Sequence, residues 1–290
     1  MLRFLATGDI HAHNWRQFSR TLPNGMNSRL ANCLKVFDIL LKEAKTRDVN
    51  KILLNGDTLH EADYLDVEVY DAVYRKLEKL HDEGMDVVLN LGQHDICLCS
   101  GGRMLHSLRP FRKVATVVER PVLVWGRLWV VPWMASQKRL RQALRRLDAS
   151  VEARLGIALH CALSGARAGP TYTASSGLTL RDIRHTVFAV CLLSDFHTAQ
   201  SLAPNVFYMG SPLQHSFGEV HDPSISYICL RRTGSPVFSR EEIWTGLPRF
   251  RRIRASTLKG FKRKVQDLHG DYISAIIIGS KLKEDQVEAV

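Results

Sequence analysis

The side chains of this sequence that could do chemistry together are aspartates and histidines, and they stand where apolar runs stop. Asp9 and His11 follow residues 2–7, Asp57 follows 51–55, and Gln93, His94 and Asp95 follow 87–91. His160 closes 155–160, and Asp195 and His197 follow 187–193. In open α/β sheets, ligands bind outside the carboxyl ends of the strands, so these termini are expected to face one crevice. A mixed carboxylate and imidazole set without thiolates suits Mn, Fe or Zn, and a pair of such ions can clamp an in-line displacement at phosphorus. Asp9 and His11 are two residues apart, as are Asp195 and His197, so each pair projects to one side if its strand continues. Gly8, Gly56 and Gly92 remove side-chain bulk beside these groups. Taken singly the signals are weak: Gly56-Asp57 alone reads as a loop, and His160 alone as a hydrogen-bonded core histidine.

The elements that must position these residues alternate. The five apolar runs read as buried strands, and longer segments of helical period lie between them, the pattern of a layered α/β domain. Leu30, Leu34, Phe37, Leu40, Leu41 and Ala44 share one face of a crossover helix that leaves Arg29, Lys35, Lys42 and Arg47 for solvent. A second helix is expected over residues 66–81, with Val69, Val73, Leu77 and Leu80 on its buried stripe and a stop at Gly84. Residues 114–132 read as two or three short antiparallel strands punctuated by Pro121 and Gly126. A basic helix follows over 137–152, and 205–243 is β-rich. Composition shifts at Pro248, after which four arginines within 249–254 lead into a small accessory unit. The expected organisation is therefore a catalytic domain over 1–248 and a basic linker with a small unit over 249–290.

Length and composition bound the answer further. A chain of 290 residues with 45% hydrophobic content can bury one substantial core. No stretch resembles a charge-free membrane span, the first apolar run is too short for a signal peptide, and a cytoplasmic location is expected. Six cysteines are scattered without the paired spacing of zinc ribbons or secreted scaffolds, so reduced thiols are expected. The net charge of +11 favours a polyanionic partner.

Asp-x-His, then Gly-Asp, then Gly-x-His-Asp, a later strand-end His and a closing x-x-His, in this order and strand context, resemble the motif set of calcineurin-like metallophosphoesterases over roughly residues 2–217. Gly210-Ser211-Pro212, followed by Ser216-Phe217-Gly218-Glu219, is similar to the segment after the last metal motif in SbcD-type DNA-repair nucleases. The resemblance implies a β-sandwich flanked by helices, with the unit after 249 as a partial capping domain. It implies two divalent ions, with Mn favoured over Mg, Fe or Zn. Asp9, His11 and His197 would hold the first ion, and Asp57 would bridge. Gln93, His160 and Asp195 would complete the second, His94 would act on the leaving oxygen, and Asp95 would orient His94. The sequence departs from the family at Gln93, where Asn is usual, and at Ser194-Asp195, where Gly-His is usual. Both departures fall on the second ion, and the added carboxylate favours a harder one.

For substrate, His13, Arg16, Arg20 and Arg29, next to the first metal motif, are the expected phosphate contacts. Trp15 and Phe18 could stack on bases, although pinning the loop is the commoner use. His60 and His215 read as polar loop residues. The partners implied are DNA, an SbcC-type ATPase and a second copy of the chain, with helix 66–81 as a candidate surface. The competing expectations are a small-molecule phosphodiesterase of the same fold and a non-catalytic scaffold with a degenerate second site. A helical HD phosphohydrolase is disfavoured because His94-Asp95 follows a strand and a glycine.

Overall fold

The computed structural model describes residues 1–98, 104–147, 155–233, 235–266, 268 and 270–277. Three parallel strands, β1 (Leu2–Thr7), β2 (Lys51–Asn55) and β3 (Asp86–Asn90), are joined by helices α1 (Ser28–Thr46) and α2 (Val67–Asp82). A small antiparallel pair, β4 (Ile96–Leu98) and β5 (Met104–His106), precedes β6 (Thr116–Val118), which lies parallel to β3. β7 (Val122–Val124), β8 (Leu128–Val131), β9 (Gly156–His160), β10 (Val190–Ser194), β11 (Gln200–Ala203) and β12 (Val206–Tyr208) belong to a second sheet, and α3 (Gln137–Arg146) lies between β8 and β9. β13 (Ser224–Thr233) and β14 (Ser235–Trp244) return to the first sheet, giving the orders β14-β13-β1-β2-β3-β6 and β11-β12-β10-β9-β8-β7. β15 (Phe250–Ala255), α4 (Leu258–Val265) and β16 (Tyr272–Ile277) follow, the two strands pairing in parallel.

The period-2 alternation of the strands explains the layering. Leu2, Phe4 and Ala6 of β1 meet Val130, Ala158 and Leu192 of the second sheet in the central core. Leu5 faces the other way, with Ile52, Leu54 and Leu89, onto Leu30, Phe37, Val73 and Leu77 of the helices. On the far side, Ile157, Leu159, Cys191 and Leu193 pack on Leu140 and Leu144 of α3. The result is the expected mixed α/β sandwich flanked by helices. Asn27 and Asp66 cap α1 and α2 by accepting two backbone N–H bonds each. Among the described residues no helix is long and apolar enough to cross a membrane. Cys33, Cys161, Cys191 and Cys229 are free thiols, and Cys99 lies outside the described residues.

Three expectations change. The 114–132 segment is not one antiparallel set: β6 joins the first sheet in parallel and β7–β8 pair in the second, so Pro121 marks a crossing between sheets. The basic helix is α3, ending at Arg146, and the rest of its expected span, 148–152, lies outside the described residues. Of the arginines of 249–254, expected in a DNA-facing linker or an exposed edge strand, Arg251, Arg252 and Arg254 lie on strand β15 and Arg249 just before it, and Phe250 stacks on Tyr272 across to β16 at 4.4 Å. The charged tail after Ile277 lies outside the described residues.

Candidate metal centre

The strand ends converge as expected, through turns rather than through continued strands. Asp9, His11, Asp57 and Asp195 all have positive φ, at 56°, 47°, 52° and 108°. Such angles are uncommon for residues with a Cβ and cluster at functional sites, where the surrounding structure must enforce them. The enforcement here is backbone pairing between the first two loops: Asp9 N–H donates to the Gly56 carbonyl and His11 N–H to the Asp57 carbonyl, at 3.0 and 2.9 Å. Bulk is excluded where the loops close up. A Cβ on Gly56 would stand 2.0 Å from His160 Nδ1, and one on Gly92 2.0 Å from Asp57 Oδ1.

Two donor sets that include carboxylates result, Asp9–His11–His197 and Asp9–Asp57–His160, and a third group, His11–His60–His94, is all imidazole, the atoms of each lying within 4.8 Å of one another. His11 Nε2 lies 3.1 Å from His197 Nε2 and 3.6 Å from Asp57 Oδ2. His160 Nε2 lies 3.3 Å from Asp57 Oδ2. Hydrogen bonds fix which nitrogens face inward. His160 Nδ1 donates to the Asn55 carbonyl at 2.9 Å, because a carbonyl can only accept, which turns Nε2 toward Asp57; burial works against the charged ring, but Asp57, Asp9 and Asp195 hold it well above its ordinary value, so a bound ion would displace the Nε2 proton. That Nε2 is buried without a hydrogen-bond partner. His197 Nδ1 is held by Glu219 Oε1 at 2.8 Å, and His11 Nδ1 faces His60 Nδ1 at 3.3 Å. Ligating histidines are oriented in this way, with the second ring nitrogen engaged by an outer partner.

The charges are arranged for a cation. Burial raises the Asp9 carboxyl to about 6 against the lowering pull of His160 and His197. Burial also raises Asp195. Burial opposes ionisation of Asp57, but His160 beside it outweighs that and holds its carboxyl below the usual range. Burial and four surrounding imidazoles hold His11 well below its ordinary value, in the neutral form a metal ligand requires. An orphaned buried imidazole nitrogen, a second pair of facing nitrogens and three crowded carboxylates fit divalent ions in both sets.

The expected residues do not all converge. Asp195 faces the cluster: its N–H donates to both Asp9 oxygens, at 3.2 and 3.4 Å, and its carboxylate feels Asp57, His160 and His197. Gln93 is exposed. His94 N–H donates to Asp57 Oδ1 at 2.9 Å, and its Nδ1 donates to the His60 carbonyl at 2.8 Å. Asp95 therefore does not orient the His94 ring. Its buried carboxylate accepts from the Leu59 and Gly92 amides, at 3.1 and 2.9 Å, and ties the two loops together. Burial, with Asp57 adding, lifts it to about 7.

His13, Arg16 and Arg20 line a pocket of about 630 Å³ whose other wall carries Glu61, Asp66 and Glu68. Arg29 is not among them. It is 5% exposed, donates to the carbonyls of Gln17 and His215, and sits 4.8 Å over Trp15 and 5.1 Å over Phe250. This guanidinium fastens the 13–29 loop to the C-terminal strands, so the expected phosphate contact and solvent-facing position are both corrected. Phe18 also pins the loop, edge-on to Phe217 and Phe250.

Sequence reasoning missed three residues. His60 faces His11 and stacks on His94, rings 5.0 Å apart and 14° from parallel. His215 Nε2 lies 3.3 Å from the Asp9 carbonyl. Glu219 accepts from His197 and from the His215 amide, and burial is overcome by that His197 hydrogen bond, which brings its carboxyl down to about 2. The available signal was local: His60 stands three residues after Asp57, and Glu219 closes the segment that begins at Gly210. Ser211 of that segment donates to the Asp9 carbonyl at 3.2 Å.

Fold and donor sets define a hydrolase site built for a pair of divalent ions. The chain belongs to the calcineurin-like phosphoesterase family, whose sequence profile matches residues 2–148. The matched span carries Asp9 to Asp95, and folding brings His160, Asp195 and His197 to it from beyond. Membership implies metal-dependent phosphoester hydrolysis, and the chain has candidate ligands for the two divalent ions that the family binds. No curated protein matches the sequence. Among solved structures it is similar to the phosphopantetheinyl hydrolase from Mycobacterium tuberculosis, at 13% identity and a TM-score of 0.38 over 71% of this chain and 86% of that one. A likeness that remote carries no argument about substrate.

Proposed function

We propose that the chain is a DNA nuclease that hydrolyses phosphodiester bonds in an SbcD-like role in repair or recombination, with manganese as its ion. The observation that supports it most is the pair of donor sets sharing Asp9, set beside His94 and a pocket that bears His13, Arg16 and Arg20. Bound divalent ions would supply Lewis-acid polarisation of the phosphoryl group and neutralise charge in an in-line displacement. The chain supplies the rest. Asp9, Asp57, His11, His160 and His197 would hold the ions, and Glu219 and the Asn55 carbonyl fix which ring nitrogens of His197 and His160 face inward. Water adds to phosphorus as the bond to the leaving oxygen breaks, and His94, with Nδ1–H committed to the His60 carbonyl, has Nε2 left to donate a proton to that oxygen. Arg16 and Arg20 take flanking phosphates. The +11 charge and the packing of the Gly210-Ser211-Pro212 segment under Asp9 support the nucleic-acid reading over others.

The test is Mn-dependent cleavage of linear and single-stranded DNA by the wild type, His94→Ala and Asp57→Ala. Cleavage lost in both variants is expected; cleavage indifferent to them, or none with any metal, would sink the proposal. One observation favours a second reading, a small phosphodiester: the acidic wall of Glu61, Asp66 and Glu68 gives the pocket mixed charge at a volume suited to a small ligand. Turnover of a chromogenic phosphodiester without DNA binding would select it, and elemental analysis finding no metal would select a scaffold. An SbcC-type ATPase and a second copy meeting through α2 belong to the same proposal, tested by co-purification and sedimentation.

A further inference from the structure

Directly beneath the metal centre lies a buried polar network that the chemistry above does not use. Asn55, the last residue of β2, donates through Nδ2 to the Leu159 carbonyl at 2.9 Å and to Ser194 Oγ at 3.1 Å. Its Oδ1 accepts from Asn90 Nδ2 at 2.9 Å, and Asn90, the last residue of β3, also donates to the Val131 carbonyl at 3.0 Å. Asn55, Asn90, Leu159 and Ser194 are all 0% exposed. β2 and β3 belong to one sheet and β8, β9 and β10 to the other, so these bonds cross the sandwich through a core that is otherwise apolar.

The register of the network is specific. Leu159 stands one residue before His160, Ser194 one before Asp195, and Asn55 two before Asp57. β9 and β10 are thus tied one residue before His160 and Asp195, and β2 two residues before Asp57. Asn55 also contributes its own carbonyl to His160 Nδ1. Ser194 fits only because residue 8 is glycine: a Cβ there would stand 2.4 Å from Ser194 Oγ. Buried polar groups cost stability unless paired, and apolar side chains of this size would fill the same space without that cost. A polar network retained at this place has a positional use.

We infer that Asn55 is a positioning residue that sets the separation of the two halves of the metal centre, holding His160 and Asp195 of one sheet against Asp57 of the other. The inference rests on the two-ion reading above. Losing such an outer partner commonly costs about 10–100-fold in metal affinity, and that loss should fall on the second ion alone. The experiment is a stepwise Mn titration of the full chain by calorimetry, with electron paramagnetic resonance reporting whether two bound Mn ions are exchange-coupled. Asn55→Leu should weaken the second binding step about 10–100-fold and replace the coupled signal with that of isolated Mn, leaving the first step within a few-fold. Ser194→Ala, which removes one bond and should fold whatever Asn55→Leu does, should weaken the second step to a lesser degree. Asn205→Ala serves as control. It removes a comparable amide, bonded to the carbonyls of His185 and Phe188 at the opposite end of β10, and should leave both steps unchanged. An unchanged second step in Asn55→Leu and Ser194→Ala, or equal weakening of both steps, would overturn the role of Asn55. A wild type that binds one ion would instead overturn the two-ion reading, and this inference with it.

Discussion

The two donor sets meet at Asp9 but are held by different means. In the Asp9–His11–His197 set, the imidazoles lean on side chains from loops, His60 and Glu219. In the Asp9–Asp57–His160 set, the supports are backbone: the Asn55 carbonyl for His160 and the His94 amide for Asp57. Substitution can tune a side-chain partner one residue at a time, whereas a carbonyl changes only if the strand moves. The first set is therefore adjustable through side chains, and the second only by moving backbone, at the end of β2 and at His94.

The largest effect should come from the residue the sets share. Asp9→Asn removes a charge from both, so bound metal measured by elemental analysis should fall to near zero and hydrolysis with it. A variant that keeps one tightly held ion would show that one set does not need Asp9. Next is Glu219→Gln, which keeps the shape but withdraws the carboxylate from His197. The expected loss is about 10–100-fold in affinity for the first ion, with the second unaffected. Equal weakening of both would erase the distinction between side-chain and backbone support.

That distinction also explains what could be read in advance. The strands, both crossover helices and the chemistry-bearing strand ends were legible because apolar period and terminal Asp, His and Gly are local signals. His60 and Glu219 were not, since a polar loop residue acquires a partner only when the loops fold onto one another. Asp95 misled because adjacency to His94 suggested contact, yet neighbouring residues in a turn point apart, and its carboxylate went to backbone amides. Arg29 misled because an arginine in the first turn of a helix normally faces water; here the aromatic rings of Trp15, Phe250 and Tyr272 enclose it. The Asn55 and Asn90 amides looked like ordinary strand ends, and only the second sheet gives them acceptors.

Chelation should have a smaller and pH-dependent effect. At free metal about a hundredfold above the dissociation constant, binding adds about 2.7 kcal/mol to stability, which a chelator removes. Asp9 sets the direction with pH. Its folded pKa, about 6, lies above the ordinary 3.8, so its contribution to the metal-free protein is present below 3.8 and is lost as pH rises through 6. His197 acts the same way higher up: burial works against it, but the Glu219 hydrogen bond and Asp9 carry it to about 9. Ions bind the deprotonated forms, so the melting-temperature gap between loaded and chelated protein should widen from pH 5 to pH 8. A gap that narrows would mean the ions bind elsewhere.

The smallest effect is expected at Gln93, and it sharpens the comparison most. If the second set is held by backbone, an exposed side chain on the loop after β3 should contribute little to it. Gln93→Ala should then leave two ions bound and change the second affinity by less than about threefold, within the range of surface substitutions away from special features. Gln93→Asn, which restores the family's shorter amide, should be equally quiet. A tenfold loss in the alanine variant would place the Gln93 amide on the second ion in the loaded protein, meaning that the loop closes when metal binds. The second set would then depend on a loop side chain as the first does, and the division between a tunable and a fixed half of the centre would fail.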